Sequence, residues 1–396
     1  MVCNIGCQLY GAHRVAVSIK DCVILFHSPT GCNYATLIGF APSHNHDIRQ
    51  ACTHLVEDDV ILGGMRNFLA YFDKAMEKYD YNVMFVITSC VPELINDSLA
   101  QPLATAISES IHPNAQKPTI IIEAPGFKGN EWQGTIQTMR QLISLMNPKI
   151  VMPATINLIG FFASDYKVDG DLKNIAQMLG EVTINAVFPY DTFYRVLNIP
   201  AAQLNVVLRG FEPIGDLLKE QFGTPYIVAN YPYGLRQSRA FTEKIYKALG
   251  IGDFAAIIDQ QERTVLQRLG NARRYIELFD RLPVAIVGYP ARMYSLVNLL
   301  RDELGMNIVA KIDRTDFAQD NLFDTIDQSG AILLLGSDYE ASIASKLDMI
   351  FMAYDYPVLQ RISIAENGYA GFMGYLNFIE DIINPMMEKN ILESAK

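Results

Sequence analysis

Cysteine and histidine are scarce in this 396-residue chain, and they are confined to one end. No cysteine follows Cys90 and no histidine follows His112. A metal site built on thiolate or imidazole is therefore restricted to the N-terminal third. Basic runs are missing too, and the formal net charge is −11, which argues against a general nucleic-acid binder. No apolar run reaches the roughly 18 residues of a membrane span. The opening "MVCNIGCQLYGAHR" has no basic n-region and no apolar h-region, so it does not read as a signal peptide. The expected location is the cytoplasm, where thiols stay reduced and act as buried side chains, metal ligands or nucleophiles rather than disulfides. GxGxxG after a strand, GxxxxGK followed by Ser or Thr, and GxSxG are all absent. Nucleotide binding and serine hydrolysis by this chain are therefore unsupported.

What is present is globular: 50% of residues are hydrophobic and 19% charged. The length exceeds one ordinary core. Short apolar runs alternate with amphipathic segments. "DCVILF", "NVMFVITS" (82–89), "PTIIIEAPGF" (118–127), "KIVMPATINLIGFF" (149–162) and "RLPVAIVGYP" (281–290) read as strands. "INDSLAQPLATAISESI" reads as a helix interrupted at Pro102, and residues 241–282 as one long helical connection. This alternation predicts an α/β protein of three doubly wound, Rossmann-like domains with parallel sheets. Their expected bounds are 1–148, 149–275 with the helical connection, and 276–396 with a C-terminal helix.

The six cysteines are Cys3, Cys7, Cys22, Cys32, Cys52 and Cys90. Cys7 follows Gly6, Cys32 follows Gly31 in "HSPTGC", and Cys90 ends the strand "NVMFVITSC". Open α/β sheets present ligands at strand ends, and soft thiolates from separate loops suit zinc or an iron–sulfur cluster. Taken singly, each cysteine better fits a small buried side chain, and no CxxC pair is present.

The order of motifs is more specific. "CQLYGA" (7–12), "HSPTGC" (27–32), "CTHLVEDDVILGG" (52–64), "FVITSCVPELINDSL" (85–99), "EAPGFKGNEWQG" and "YPVLQRISIAENGYAGFMGYLNFIEDIIN" follow one another. This series resembles, in register over nearly the whole chain, the β-type subunit of nitrogenase component 1. The resemblance implies that Cys7, Cys32 and Cys90 hold half of an iron–sulfur cluster at an interface with an α-type subunit. The cluster would be an 8Fe-7S P-cluster type in the preferred case and 4Fe-4S in the alternative. It further implies an α2β2 heterotetramer and an ATP-dependent iron protein as electron donor. Cys52 matches a family cysteine that is not a ligand and reads as structural; the resemblance assigns no role to Cys3 and Cys22.

The departures matter as well. Position 126 is Gly where a nitrogenase β subunit can carry a serine that ligates the oxidised cluster. Gly126 then either lies beside the cluster or simply supplies a turn with positive φ. Asn96 and Ser98 stand where Gly and Asp are expected, and Gln360 replaces the Asp before Arg361. The α-type metal cofactor needs a Cys and a His in the later domains, which this chain lacks. The expectation is an electron-relaying, β-type subunit of a nitrogenase-like reductase, with methylthio-alkane reductase as the preferred subclass over tetrapyrrole reductases. The alternatives are a cofactor-assembly scaffold of the same family, a true nitrogenase β subunit, and a metal-free small-molecule-binding protein.

Overall fold

Runs such as "CVILFH" and "VMFVIT" are apolar at nearly every position, which suits strands covered by helices on both faces. The computed structural model describes residues 6–40, 48–252, 254–315 and 321–389. It contains three sheets of four parallel strands.

The first sheet has the order β2-β1-β3-β4, from β1 (Cys22–His27), β2 (Gln50–Cys52), β3 (Val83–Thr88) and β4 (Thr119–Glu123). Its helices are α1 (Gln8–Val17), α2 (Thr30–Phe40), α3 (Glu57–Leu62), α4 (Met65–Lys78), α5 (Cys90–Leu94), α6 (Ala100–Glu109) and α7 (Glu131–Ser144). Side chains alternate across the sheet: Ile24 and Phe26 join the core that includes α1 and α7, while Val23 and Leu25 pack with Phe68 and Phe72 of α4 and Leu103 of α6.

The second sheet has the order β6-β5-β7-β8, from β5 (Met152–Phe161), β6 (Thr183–Pro189), β7 (Ala202–Leu208) and β8 (Tyr226–Ala229). Around it lie α8 (Val168–Leu179), α9 (Phe193–Leu197), α10 (Glu212–Phe222), α11 (Gly234–Leu249), α12 (Ala255–Leu269) and α13 (Arg273–Ile276). The third sheet has the order β10-β9-β11-β12, from β9 (Pro283–Gly288), β10 (Asn307–Asp313), β11 (Leu333–Gly336) and β12 (Ile350–Ala353). It carries α14 (Pro290–Asn298), α15 (Leu322–Gln328) and α16 (Asp338–Lys346). The last helix, α17 (Gly371–Glu388), packs against α8, α11 and α12. All three units thus repeat one strand order, with the second strand of each on the outer edge beside the first.

Two expectations need correction. Pro102 does not interrupt a helix. It sits in the first turn of α6, where its missing N–H would have had no intrahelical partner. The connection from 241 to 282 is helical, as expected, but in separate pieces: α11 stops at Gly250, whose φ of +71° closes it in the left-handed conformation, and α12 starts afresh at Ala255. Among the described residues, no helix is long and apolar enough to cross a membrane.

A buried polar junction ties the three units together. Arg14 of α1 donates to Asp165 (2.9 Å) and Ser164 (2.9 Å), both after β5, and lies 3.7 Å from Glu131 of α7. Tyr289, after β9, donates its hydroxyl to Glu131 at 3.0 Å. The Arg14 guanidinium also stacks on Phe162, Tyr289 and Tyr356. Such a group leaves water only when its charge and donors are met in place. Its pKa lies above the ordinary value; burial, the largest influence, lowers it and is outweighed by Asp165 and Glu131.

Candidate metal centre at the carboxyl ends of the first sheet

The backbone of the first unit delivers three thiols to one place. Cys32 lies in the first turn of α2, which follows β1. Cys90 opens α5, directly after β3. Cys7 is the N-cap of α1, with extended backbone at φ −74° and ψ 179°. Its segment is tied to the loop after β4: Gln8 N–H donates to Gly129 O (2.9 Å), Glu131 N–H donates to Gly6 O (2.8 Å), and Cys7 pairs with Asn130 in an antiparallel bridge. The site therefore forms where strand ends and helix starts meet, the usual ligand position of an open parallel sheet.

Gly126, in that loop, faces two of the sulfurs. A Cβ added there would stand 3.0 Å from Cys7 Sγ and 3.4 Å from Cys90 Sγ, so both point toward the same spot. The Gly126 N–H donates to Cys90 Sγ at 3.0 Å. The Cys32 thiol is pushed above its ordinary pKa, first by burial and then by the charges of Cys7 and Cys90, while the Ser89 side chain works in the opposite direction. All three cysteines are half-buried, leaving one side of the group open to solvent. Gly126 is not a positive-φ glycine; what excludes a side chain there is the close approach of Cys7, whose Cβ would lie 2.8 Å away. The turn-glycine reading is thereby corrected.

The remaining cysteines behave differently. Cys22 is buried in β1 and donates to Ala16 O at 3.1 Å; burial pushes its pKa up to about 12. Cys52 is buried at the end of β2 and accepts from the His54 N–H at 3.3 Å, with the Ser28 hydroxyl 3.5 Å away. Burial pushes its thiol up as well. Cys3 lies outside the described residues. His27, at the end of β1, is buried, with Nδ1 3.2 Å from Thr53 Oγ1 and Nε2 3.4 Å from Asp97 Oδ2. Burial holds its pKa below the ordinary value, against the opposing pull of Asp97.

Among the described residues, no three His, Cys, Asp or Glu side chains converge closely enough to hold a single metal ion. Three partly exposed thiols with a backbone N–H aimed at one sulfur fit the chemistry of an iron–sulfur cluster, whose irons span several ångströms and whose sulfurs accept such bonds. Sequence reasoning missed the apolar fringe of this group. Tyr34, Leu94 and Phe127 are 62%, 73% and 56% exposed, each a few residues after Cys32, Cys90 or Gly126. The only signal was a large apolar residue shortly after each site position.

The sheets define an α/β fold of three four-stranded parallel units, with three thiols at the strand ends of the first. The profile of the family described as "Nitrogenase component 1 type Oxidoreductase" matches residues 7–323, and the chain belongs to that family. It is 24% identical to the nitrogenase molybdenum-iron protein beta chain of Methanococcus maripaludis, over 97% of this chain and 94% of that one. It is 26% identical to the corresponding alpha chain of Methanothermobacter marburgensis, over 97% and 88%. It is also 25% identical to the nitrogenase iron-molybdenum cofactor biosynthesis protein NifE of Clostridium pasteurianum, over 95% and 86%. The chain is thus about as similar to an alpha chain and to a biosynthesis protein as to a beta chain. A solved structure titled "Nitrogenase Cp1 at pH 6.5" superposes with a TM-score of 0.77 at 17% identity, covering 98% of this chain and 93% of that one, and shares the fold.

Proposed function

We propose that this chain is the β-type, electron-relaying subunit of a nitrogenase-like reductase, placed between an ATP-dependent iron protein and an α-type subunit that holds the substrate site. Methylthio-alkane reductase is the preferred subclass, α2β2 the preferred assembly and the cytoplasm its place. The observation that carries the reading is the approach of Cys7 and Cys90 to Gly126, with Cys32 near enough for their charges to raise its pKa and all three thiols partly exposed. These three thiolates would hold half of an iron–sulfur cluster, of 8Fe-7S or 4Fe-4S type. When bound, such a cluster supplies one-electron storage. The chain's own residues do the rest. The cysteines fix the cluster's place. The Gly126 N–H lowers the electron density on Cys90 sulfur, and the apolar fringe of Tyr34, Leu94 and Phe127 offers a partner subunit a surface to bury.

The similarity to a cofactor biosynthesis protein favours a second reading, an assembly scaffold that binds a maturing cluster without turnover. One experiment separates the readings. The chain is co-expressed with an α-type subunit from the same genome and purified anaerobically. Iron content, visible absorbance and ATP-dependent reduction with the iron protein are then measured. Iron with turnover supports the reductase; iron without turnover supports the scaffold. An iron-free monomer that ignores the partner rules out both.

A further inference from the structure

A second site lies at the junction of the three units, away from the cysteines. A cavity of about 240 Å³ opens between the carboxyl ends of the second and third sheets. It is bordered by residues following β5, β7, β9, β10 and β12 and by the first turn of α14. In parallel α/β sheets this is where ligands bind, and a helix start adds backbone N–H groups and a positive partial charge. At roughly 30 Å³ per water, the space equals about eight waters, which suits a small organic molecule.

The walls are flat and aromatic. Trp132 meets Phe211 edge-on at 4.9 Å between ring centroids, Phe162 meets Phe211 at 5.6 Å, and Tyr289 closes the third side. The polar lining has donors to spare. Asp165 spends one oxygen on Arg14 and the other on the Phe162 N–H. Asp355 accepts from the N–H groups of Tyr289 (2.6 Å) and Tyr356 (3.0 Å), one on each oxygen. The lining acids are therefore already engaged. Arg292 is 3% exposed; its Nε donates to Tyr233 and its Nη2 to Asp171 and Tyr166 O, but its Nη1 makes no hydrogen bond. Arg209 bonds the neutral side chain of Asn230 through Nε. A buried guanidinium nitrogen without an acceptor is costly, so it calls for one.

We infer that this cavity binds a small planar organic carboxylate, its ring against the wall that Trp132, Phe162 and Phe211 form and its carboxylate taken by Arg209, with Arg292 behind it. The inference goes beyond the electron-relay reading and does not depend on it, because no thiol takes part. Arg14, which shares the cavity wall, lies seven residues along α1 from Cys7, about 10 Å at 1.5 Å per residue. The proposed site and the thiols therefore share a helix.

Trp132 is the only tryptophan in the sequence, so its fluorescence reports on this cavity directly. The full chain is titrated with benzoate, phenylacetate and the uncharged analogue benzamide, followed by Trp132 emission and saturation-transfer NMR. The expected result is a saturable change with a carboxylate and at least tenfold weaker binding of benzamide. Arg209→Gln, at the exposed rim, should weaken carboxylate binding severalfold without altering the melting temperature. Ala291→Leu, which fills the cavity, should abolish it. Arg292→Lys, which keeps a cation for Asp171, should weaken it by about tenfold if it folds; Arg209→Gln and Ala291→Leu decide the matter if it does not. Absence of binding by both carboxylates, equal binding of benzamide, or binding that survives Ala291→Leu would each overturn the inference.

Discussion

Replacing Gly11 by alanine tests how the packing of two helices sets the thiol geometry. Gly11 of α1 lies against the first turn of α7. A Cβ there would fall 1.9 Å from Glu131 O and 2.5 Å from Thr135 N, both backbone atoms that no rotamer change can move. The reciprocal glycine, Gly134 of α7, would place its Cβ 2.1 Å from Gln8 O. Real Cβ contacts essentially never fall below 3.0 Å, so the helices must part by about 1 Å. Overpacking costs about 1–3 kcal/mol, and a backbone clash belongs at the upper end. Alanine returns about 1 kcal/mol through its better helix propensity. The net loss is therefore about 2 kcal/mol, or a fall in melting temperature of about 4–8 °C for a unit of this size. Because Cys7 caps α1 and Gly126 lies in the loop leading to α7, the same displacement should separate Cys7 from Cys90 and lower retained iron. Circular-dichroism melts with iron assays measure both effects. Gly31→Ala, where nothing lies within 4 Å of the added Cβ, is the matched control and should melt no lower than the parent. A Gly11→Ala protein with parental melting temperature and parental iron would refute the packing argument.

Other outcomes are expected on the same grounds. Cys7→Ala, Cys32→Ala and Cys90→Ala should each lose iron and weaken assembly with the α-type partner, whereas Cys22→Ala and Cys3→Ala should retain iron; equal iron in all five would remove the ligand assignment. Gly126→Ser places its Cβ 2.8 Å from Cys7 Cβ, so Cys7 must give way; the hydroxyl then stands beside Cys7 and Cys90 and supplies a hard oxygen that favours more oxidised iron. An EPR-monitored redox titration should then show the second oxidation at lower potential, and an unchanged titration at full iron content would count against it. His27 has a folded pKa below its unfolded value of about 6.5, so protonation favours the unfolded chain. Its contribution is complete above about pH 6.5 and is lost as pH falls through the lower folded value. Urea melts across that window should steepen with acid in the parent and flatten in His27→Gln; identical slopes would show that His27 does not titrate on unfolding.

The strands most easily read from the sequence were those buried on both faces, because helices on either side of a parallel sheet demand unbroken apolar runs. β1, β3 and β9 are of this kind. β6 and β7 escaped notice because polar residues break their runs. Asn185 donates to Asn157 and Asn157 to Asn205 across β6, β5 and β7 at 2.8 and 2.7 Å, so these side chains partner one another inside the sheet. No single strand reveals that its asparagine has partners on its neighbours.

The sequence by itself determined the α/β alternation, the confinement of every thiol to the first unit, and the motif order that resembles the nitrogenase family. Each of these rests on residues close together along the chain or on their plain presence. Tertiary structure alone decided that Gly126 is kept small by Cys7 rather than by its own φ. It also decided that Arg14 joins three units instead of facing solvent, and that Arg292 borders an aromatic cavity while one of its buried donors lacks an acceptor. These depend on distances between residues more than a hundred positions apart, and side-chain spacing along a chain carries no information about such distances until the sheets have packed.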